Sequence, residues 1–372
     1  MGWEILWPLI LGFGLSGAIQ AVVSKRQISK ILPDSRPKTL LIATGLGAAS
    51  SSCSYAAVAL ARSIFRKGAD FTAAMAFEIA STNLVIELGI ILTVLLGWQF
   101  TAADFVGGPL MIVILALLFR FLLTPKLVIA ARKQAEKGLS GRMEGHAAMD
   151  DMAAKGSGTV WQKLRSSEGK TATSHFFIMD WASIWTDIVL GLLIAGALEA
   201  WVPQSWWKAI FFTNHHTLAL ICGPLIGPLI AVLSFVCSVG NVPLAAVLWN
   251  GGISFGGVVA FIFADLIIFP ILRIYKKYYG IKMAVFLFGT FYAAIALAGY
   301  LVEAIFAILH LTPINRNAKV LESRIMFNYT TILNIVFLVF AAALIWRFLQ
   351  TGGPRMLSMM NKKPGRHSAH GN

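Results

Sequence analysis

Long apolar stretches, separated by short clusters of charge, run the length of the chain. Seven of them, at about residues 4–23, 71–97, 105–123, 178–200, 254–272, 283–309 and 326–348, approach or exceed the roughly 20 residues needed to cross a hydrocarbon core. They predict ordinary spanning helices. Two further stretches, 39–66 and 217–250, are apolar but punctured by small and polar residues. The first carries Gly45, Gly47 and the run Ser50-Ser51-Ser52-Cys53-Ser54. The second carries Gly223-Pro224, Gly227-Pro228, Ser234, Cys237-Ser238, Gly240-Asn241 and Pro243. Proline removes a backbone donor and glycine tolerates irregular dihedrals, so both stretches predict broken helices. Irregular backbone at membrane depth persists only where protein or a polar cavity covers it. Each stretch is therefore read as a helical hairpin entering and leaving on one side, against an alternative of two full crossings.

The two punctured stretches share a register. Cys53-Ser54 and Cys237-Ser238 lie 184 positions apart, and at that offset Ser50 matches Ser234, Val58 matches Val242 and Leu60 matches Leu244. Gly68 and Gly252, Phe71 and Phe255, Ala76 and Ala260, Phe77 and Phe261 continue the match. A chain built twice from one unit keeps its working site where the units meet.

The charges give the unit a direction. Lys25, Arg26, Lys30, Arg36 and Lys38 precede the first hairpin, and Arg62, Arg66 and Lys67 follow it. Basic loops stay cytoplasmic, so this hairpin opens to the inside. Almost no positive charge flanks the second hairpin, which then opens outward. Arg316, Lys319 and Arg324 break this order, because the layout places them outside. The expected fold is an all-α polytopic membrane protein of two inverted repeats, each with a broken or re-entrant hairpin. Residues 1–123 form the first repeat, 124–174 a cytoplasmic loop and 175–309 the second repeat. Residues 310–350 add a helix, and 351–372 form a basic cytoplasmic tail.

Composition removes other classes. Of 372 residues, 57% are hydrophobic and 13% charged, with a mean hydropathy of +0.74, which leaves too little polar surface for a soluble protein of this length. The net charge of +14 then reads as loops facing anionic lipid rather than nucleic acid. No Walker motif or catalytic pair is present, so neither ATP hydrolysis nor other enzymatic chemistry is expected of this chain. No cofactor or resident metal is expected either. The three cysteines, Cys53, Cys222 and Cys237, lie in apolar surroundings and do not suggest a disulfide scaffold.

Candidate chemistry gathers at the hairpins. Cys53 and Cys237 offer soft ligands to a metalloid, or serve as small buried hydrophobes. Ser50, Ser54, Ser238 and Asn241 offer hydroxyl and amide partners to a substrate, or cap the broken helices. Carboxylates inside hydrocarbon are costly and mark function by default. Asp265 lies mid-helix, and Glu78 and Glu87 lie in the helix after the first hairpin. All three are candidates to couple transport to protons, with a structural ion pair to Arg120 as the alternative.

Cys53-Ser54 with the Gly68–Ala80 stretch, and above all Cys237-Ser238-Val239-Gly240-Asn241-Val242-Pro243-Leu244-Ala245-Ala246, resemble a family of predicted permeases. That family includes YraQ and the ArsP-type organoarsenical exporters. The resemblance implies an inner-membrane permease exporting a small solute, with membrane cysteines handling trivalent organoarsenicals in its best understood members. Family hairpins often read Cys-Ser-Cys, whereas Tyr55 and Val239 stand at the third position here. The loss weakens the soft-metalloid reading while leaving permease in place. The expected function is a secondary permease working by alternating access; the alternative is a non-transporting scaffold or partner-dependent subunit. Its partners are a small-molecule substrate, the bilayer and protons, and the sequence leaves a homo-oligomer open.

Overall fold

The computed structural model describes residues 2–22, 31–50, 54–66, 68–136, 160–201, 203, 206, 210–211, 215–234, 238–313, 315–316, 318 and 329–354. Every regular element among them is helical. The first half comprises α1 (Gly2–Val22), α2 (Pro37–Ser50), α3 (Ser54–Arg66), α4 (Phe71–Asn83), α5 (Ile86–Leu95), α6 (Trp98–Leu122) and α7 (Pro125–Ala135). The second comprises α8 (Val160–Arg165), α9 (Ser167–Trp201), α10 (His216–Ser234), α11 (Ser238–Gly251), α12 (Phe255–Phe263), α13 (Phe269–Tyr279), α14 (Ile281–Ile308) and α15 (Tyr329–Gln350). A short 3-10 turn, Ala264–Leu266, extends α12.

Among the described residues four helical stretches are long and apolar enough to cross a membrane, within α6, α10, α14 and α15, and the bent pairs α4–α5 and α12–α13 raise the number to six. The chain is a multi-pass membrane protein. Phe121 and Val285 on these helices are mostly exposed, as lipid-facing side chains are. Asn334 ties α15 to α1, accepting from Trp7 N at 2.9 Å and donating to Trp3 O at 2.7 Å.

Both punctured stretches fold back on themselves. Asp70 N, just after α3, donates to Leu32 O, just before α2, at 2.9 Å. The first hairpin therefore begins and ends at one level. Gly47 of α2 lies against Phe77 and Ala80, so α2 runs alongside α4 in the same direction while α3 returns. In the second half Gly223 meets Ser254, and Gly227 meets Gly257 and Phe261, giving α10 the same relation to α12.

The mouth of the first hairpin lies beside α7, where Arg62 donates to Ala135 O at 2.8 Å. The mouth of the second lies beside the start of α6, where Phe100 meets Trp249 and Phe255 with ring centroids 5.2 and 4.9 Å apart. The mouths thus stand at opposite ends of the 25-residue α6, which at 1.5 Å per residue spans about 37 Å. The α4–α5 pair runs from the first mouth toward the second. The α12–α13 pair runs the other way and ends beside α7, where Gln134 donates to Lys277 O at 3.2 Å.

Two expected single helices are broken. The stretch 71–97 divides with a 41° bend, and 254–272 divides with a 40° bend. In the first break Val85 is extended, at φ −113° and ψ 144°. Before it, Ser81 and Thr82 turn their hydroxyls back to Glu78 O and Ile79 O, at 2.9 and 3.1 Å, which competes with the helical ladder. In the second, Ile268 is extended and Pro270 opens α13, with no N–H to continue the ladder.

Candidate functional site

The two breaks bring polar side chains of both halves together in the apolar core. Ser54 is the first residue of α3 and donates to Asp265 Oδ2 at 2.7 Å. Both residues are wholly buried. Asp265 belongs to the 3-10 turn that ends α12, and the side chains of Thr82 and Asn83, before the other break, lie beside its carboxyl group. A second bond crosses in the opposite sense: Tyr275 of α13 donates its hydroxyl to Glu78 Oε1 on α4. Hairpin and broken helix of one half are thus tied to the broken helix of the other.

Several members keep polar atoms without a partner. Glu78 Oε2, Asp265 Oδ1, both atoms of the Asn83 amide, both carboxyl oxygens of Asp104 and the Tyr279 hydroxyl are buried and unpartnered. Burying such groups costs about 1–3 kcal/mol each, more if charged, so their concentration at one place opposes stability. Asp265 acts electrostatically on both Glu78 and Asp104. Among the described residues no three His, Cys, Asp or Glu side chains converge to hold a metal ion. The carboxyl groups are neighbours rather than a chelate.

The other sequence candidates fall in different places. Ser50 bonds Gly47 O at 3.0 Å, and its repeat counterpart Ser234 lies 2.9 Å from Ala231 O. Ser234 also lies 3.2 Å from Asn241 Oδ1, while Asn241 Nδ2 is buried without a partner. Ser238 opens α11 and is buried. Glu87 is buried in the first turn of α5, beyond the bend. Cys53 and Cys237, with their flanking residues 51–52 and 235–236, lie outside the described residues. Arg120 is exposed near the lower end of α6, and the structure gives Asp265 a serine partner instead.

Sequence reading missed Asp104 and Tyr275. The span expected at 105–123 begins instead at Trp98, which carries Asp104 two turns into the helix. Gly97, the residue before that start, has a φ of 111°, and a glycine of this kind is a helix-boundary signal. Tyr275, Tyr278 and Tyr279 share the i, i+3, i+4 spacing of one helical face, legible beside Lys276 and Lys277 but not what the face meets.

Glu303 of α14 accepts from Gly256 N at the start of α12. Arg316, the charge that broke the expected topology, donates to Trp249 O and Ile253 O at 2.9 and 2.8 Å. It closes the second mouth. Lys319 and Arg324 lie outside the described residues.

A family model described as "Predicted permease", ArsP_1, matches residues 1–304. The chain is also 62% identical over 343 residues to "Putative permease Rv2963" of Mycobacterium tuberculosis, covering 92% of this chain and 84% of that one. No solved structure matches the chain.

Proposed function

Because the chain belongs to the ArsP_1 predicted permease family, we propose that it is a proton-coupled secondary permease whose transport site lies between the two helix breaks. The observation that carries this reading is the Ser54–Asp265 bond of 2.7 Å. It joins the returning arm of one hairpin to a wholly buried carboxyl group of the opposite half. Protonation changes that carboxyl group from acceptor to donor. A change there alters the hold of the second half on the first hairpin, which is the kind of two-state contact alternating access needs.

The opposite placement of the hairpin mouths, and the opposed courses of α4–α5 and α12–α13, support inverted repeats. In that reading the two mouths face the two sides of a bacterial inner membrane, and hairpin movements open the site to one side at a time. Basic residues around α7 support a cytoplasmic position for the first mouth. Ser50, Ser54, Ser238 and Asn241 are the polar contacts offered to a solute, and Cys53 and Cys237 are the candidate soft ligands. Glu78 and Glu87 join Asp265 as candidate coupling carboxylates. Export is the favoured direction, and an organoarsenical or another thiol-reactive compound is the first cargo to test.

Cells lacking the protein, challenged with methylarsenite, other thiol-reactive metalloids and anionic metabolites, identify the cargo class. Loss of protection in a Cys53→Ser, Cys237→Ser double variant assigns the cysteines to it; retained protection makes them packing residues. With that cargo in proteoliposomes, Asp265→Asn should lower pH-gradient-driven transport by about a hundred-fold or more while leaving thermal unfolding unchanged. Undiminished transport removes Asp265 from the mechanism, and the absence of any flux from the purified chain removes the permease reading.

A further inference from the structure

The carboxyl pair Glu78–Asp265 needs a way to exchange protons, because both residues are wholly buried. Four features of α13 bear on that need. Its Tyr275 hydroxyl donates to Glu78 Oε1. Tyr279 stacks on Tyr275 with ring centroids 6.2 Å apart, and its hydroxyl is buried without a partner. Next to them, Arg62 of α3 covers the ring of Tyr278 at 4.6 Å and donates to Ala135 O of α7 at 2.8 Å. The tyrosines therefore lie between the carboxyl pair and the end of the bundle where α7 sits.

The repeat argues that these hydroxyls are not demanded by the fold. The start of α13 follows the start of α12 by one residue fewer than the start of α5 follows that of α4, so the helix starts Ile86 and Phe269 differ by 183. At that register Tyr275, Tyr278 and Tyr279 correspond to Leu92, Leu95 and Leu96. The same broken-helix architecture is built in the first half with leucines. A hydroxyl placed in such a setting, and spent on a buried carboxylate, has work other than packing.

We infer that Tyr275 is a positioning residue and proton relay, the hydroxyl through which Glu78 exchanges its proton. This rests on the proton-coupled reading above. As the phenolic O–H proton passes to Glu78 Oε1, a second proton reaches the phenolic oxygen from the side of α13 where Tyr279 lies. One O–H bond breaks and one forms at that oxygen, and the tyrosine carries no charge before or after. The ionisable groups facing it are Glu78 from α4, Asp265 from the 3-10 turn and Tyr279 on its own helix. Arg62 and Tyr278 act on Tyr279, Asp104 faces Asp265 from α6, and Phe291 of α14 closes the other side at 6.4 Å.

The test uses the full chain in liposomes and infrared spectroscopy, and needs no cargo. Carboxylic C=O bands are assigned by their loss in Glu78→Gln and Asp265→Asn, and their deuterium exchange is timed after transfer to heavy water. Tyr275→Phe, which keeps the ring contacts, should slow exchange at Glu78 at least about ten-fold, as removal of a positioned proton-transfer group does. Tyr292→Phe, whose hydroxyl bonds Leu225 O at 2.8 Å in another part of the bundle, should leave it unchanged. Should Tyr275→Phe fail to fold, 3,5-difluorotyrosine at position 275 keeps ring and hydroxyl with greater acidity, and should speed exchange. Titrating bands with the same exchange rate in the Tyr275 variants overturn the relay alone. Absence of any titrating band at Glu78 or Asp265 overturns proton coupling at this site, and the relay with it.

Discussion

Arg132 lies over the ring of Phe65 at 4.2 Å and donates to Phe65 O and Ala69 O, each at 2.9 Å. At an offset of 184, Arg316 lies over the ring of Trp249 at 4.3 Å and donates to Trp249 O and Ile253 O. The turns they close match as well, with Gly68 and Gly252 at φ 113° and 109°. Gly68 N bonds Phe65 O as Gly252 N bonds Trp249 O, each at 3.1 Å. At the helix breaks the correspondence stops. Asp265 stands where the first half has Ser81, Glu78 where the second has Ile262, and Tyr275 where the first has Leu92. The mouths repeat because any returning hairpin must find donors for the carbonyls at its end. At the centre each half instead buries its own carboxyl group at a position the other half fills differently, Glu78 on α4 and Asp265 after α12.

The largest effect should come from the mouths. Arg132→Ala and Arg316→Ala each strand two carbonyls that had charge-assisted bonds, so each should cost about 2–5 kcal/mol. Thermal unfolding in detergent measures both. Costs differing by more than about 2 kcal/mol would break the equivalence, since each arginine is assigned the same two carbonyls and one ring.

A smaller effect, of opposite kind, is expected at the centre. Asp104→Ala removes two unpartnered buried oxygens, so unfolding should occur at the same temperature or higher, while transport falls by about ten-fold. A destabilised protein with normal transport would make Asp104 part of the scaffold and shrink the asymmetric centre to Asp265 and Glu78.

The smallest test returns to the turns. Gly68→Ala and Gly252→Ala force a Cβ into a left-handed backbone at both mouths, with a cost of about 1–3 kcal/mol each. Equal shifts in unfolding temperature sharpen the match. A shift at Gly68 without one at Gly252 would confine the shared constraint to the first hairpin.

Much of this arrangement was legible in the residues. The breaks at Ser50–Ser54 and Ser234–Ser238 follow from small and polar residues inside apolar runs, and the offset of 184 predicted that they would be built alike. Asp265 and Glu78 stood out because carboxylates are rare in apolar helices. The bend at 84–85 was not legible: no proline or glycine stands there, and Ile86 holds the place that Pro270 nearly occupies in the second half. Equal bends with and without proline mean that the first one has another origin, the back-bonded hydroxyls of Ser81 and Thr82 among its causes.

Arg316 makes the same point from the side of charge. The layout drawn from the basic residues left it outside, against a charge rule that treats an arginine as free in solution. The structure engages its donors on backbone carbonyls and its plane on Trp249. What the sequence by itself determined was a multi-pass helical protein, two broken hairpins in one register and a permease-like motif, since apolar length, proline, glycine and repetition are local properties. Only the tertiary structure decided that Ser54 meets Asp265, that Tyr275 meets Glu78 and that Asp104 joins them. Those meetings depend on the opposed courses of the two halves, which bring residues some 200 positions apart within hydrogen-bonding distance.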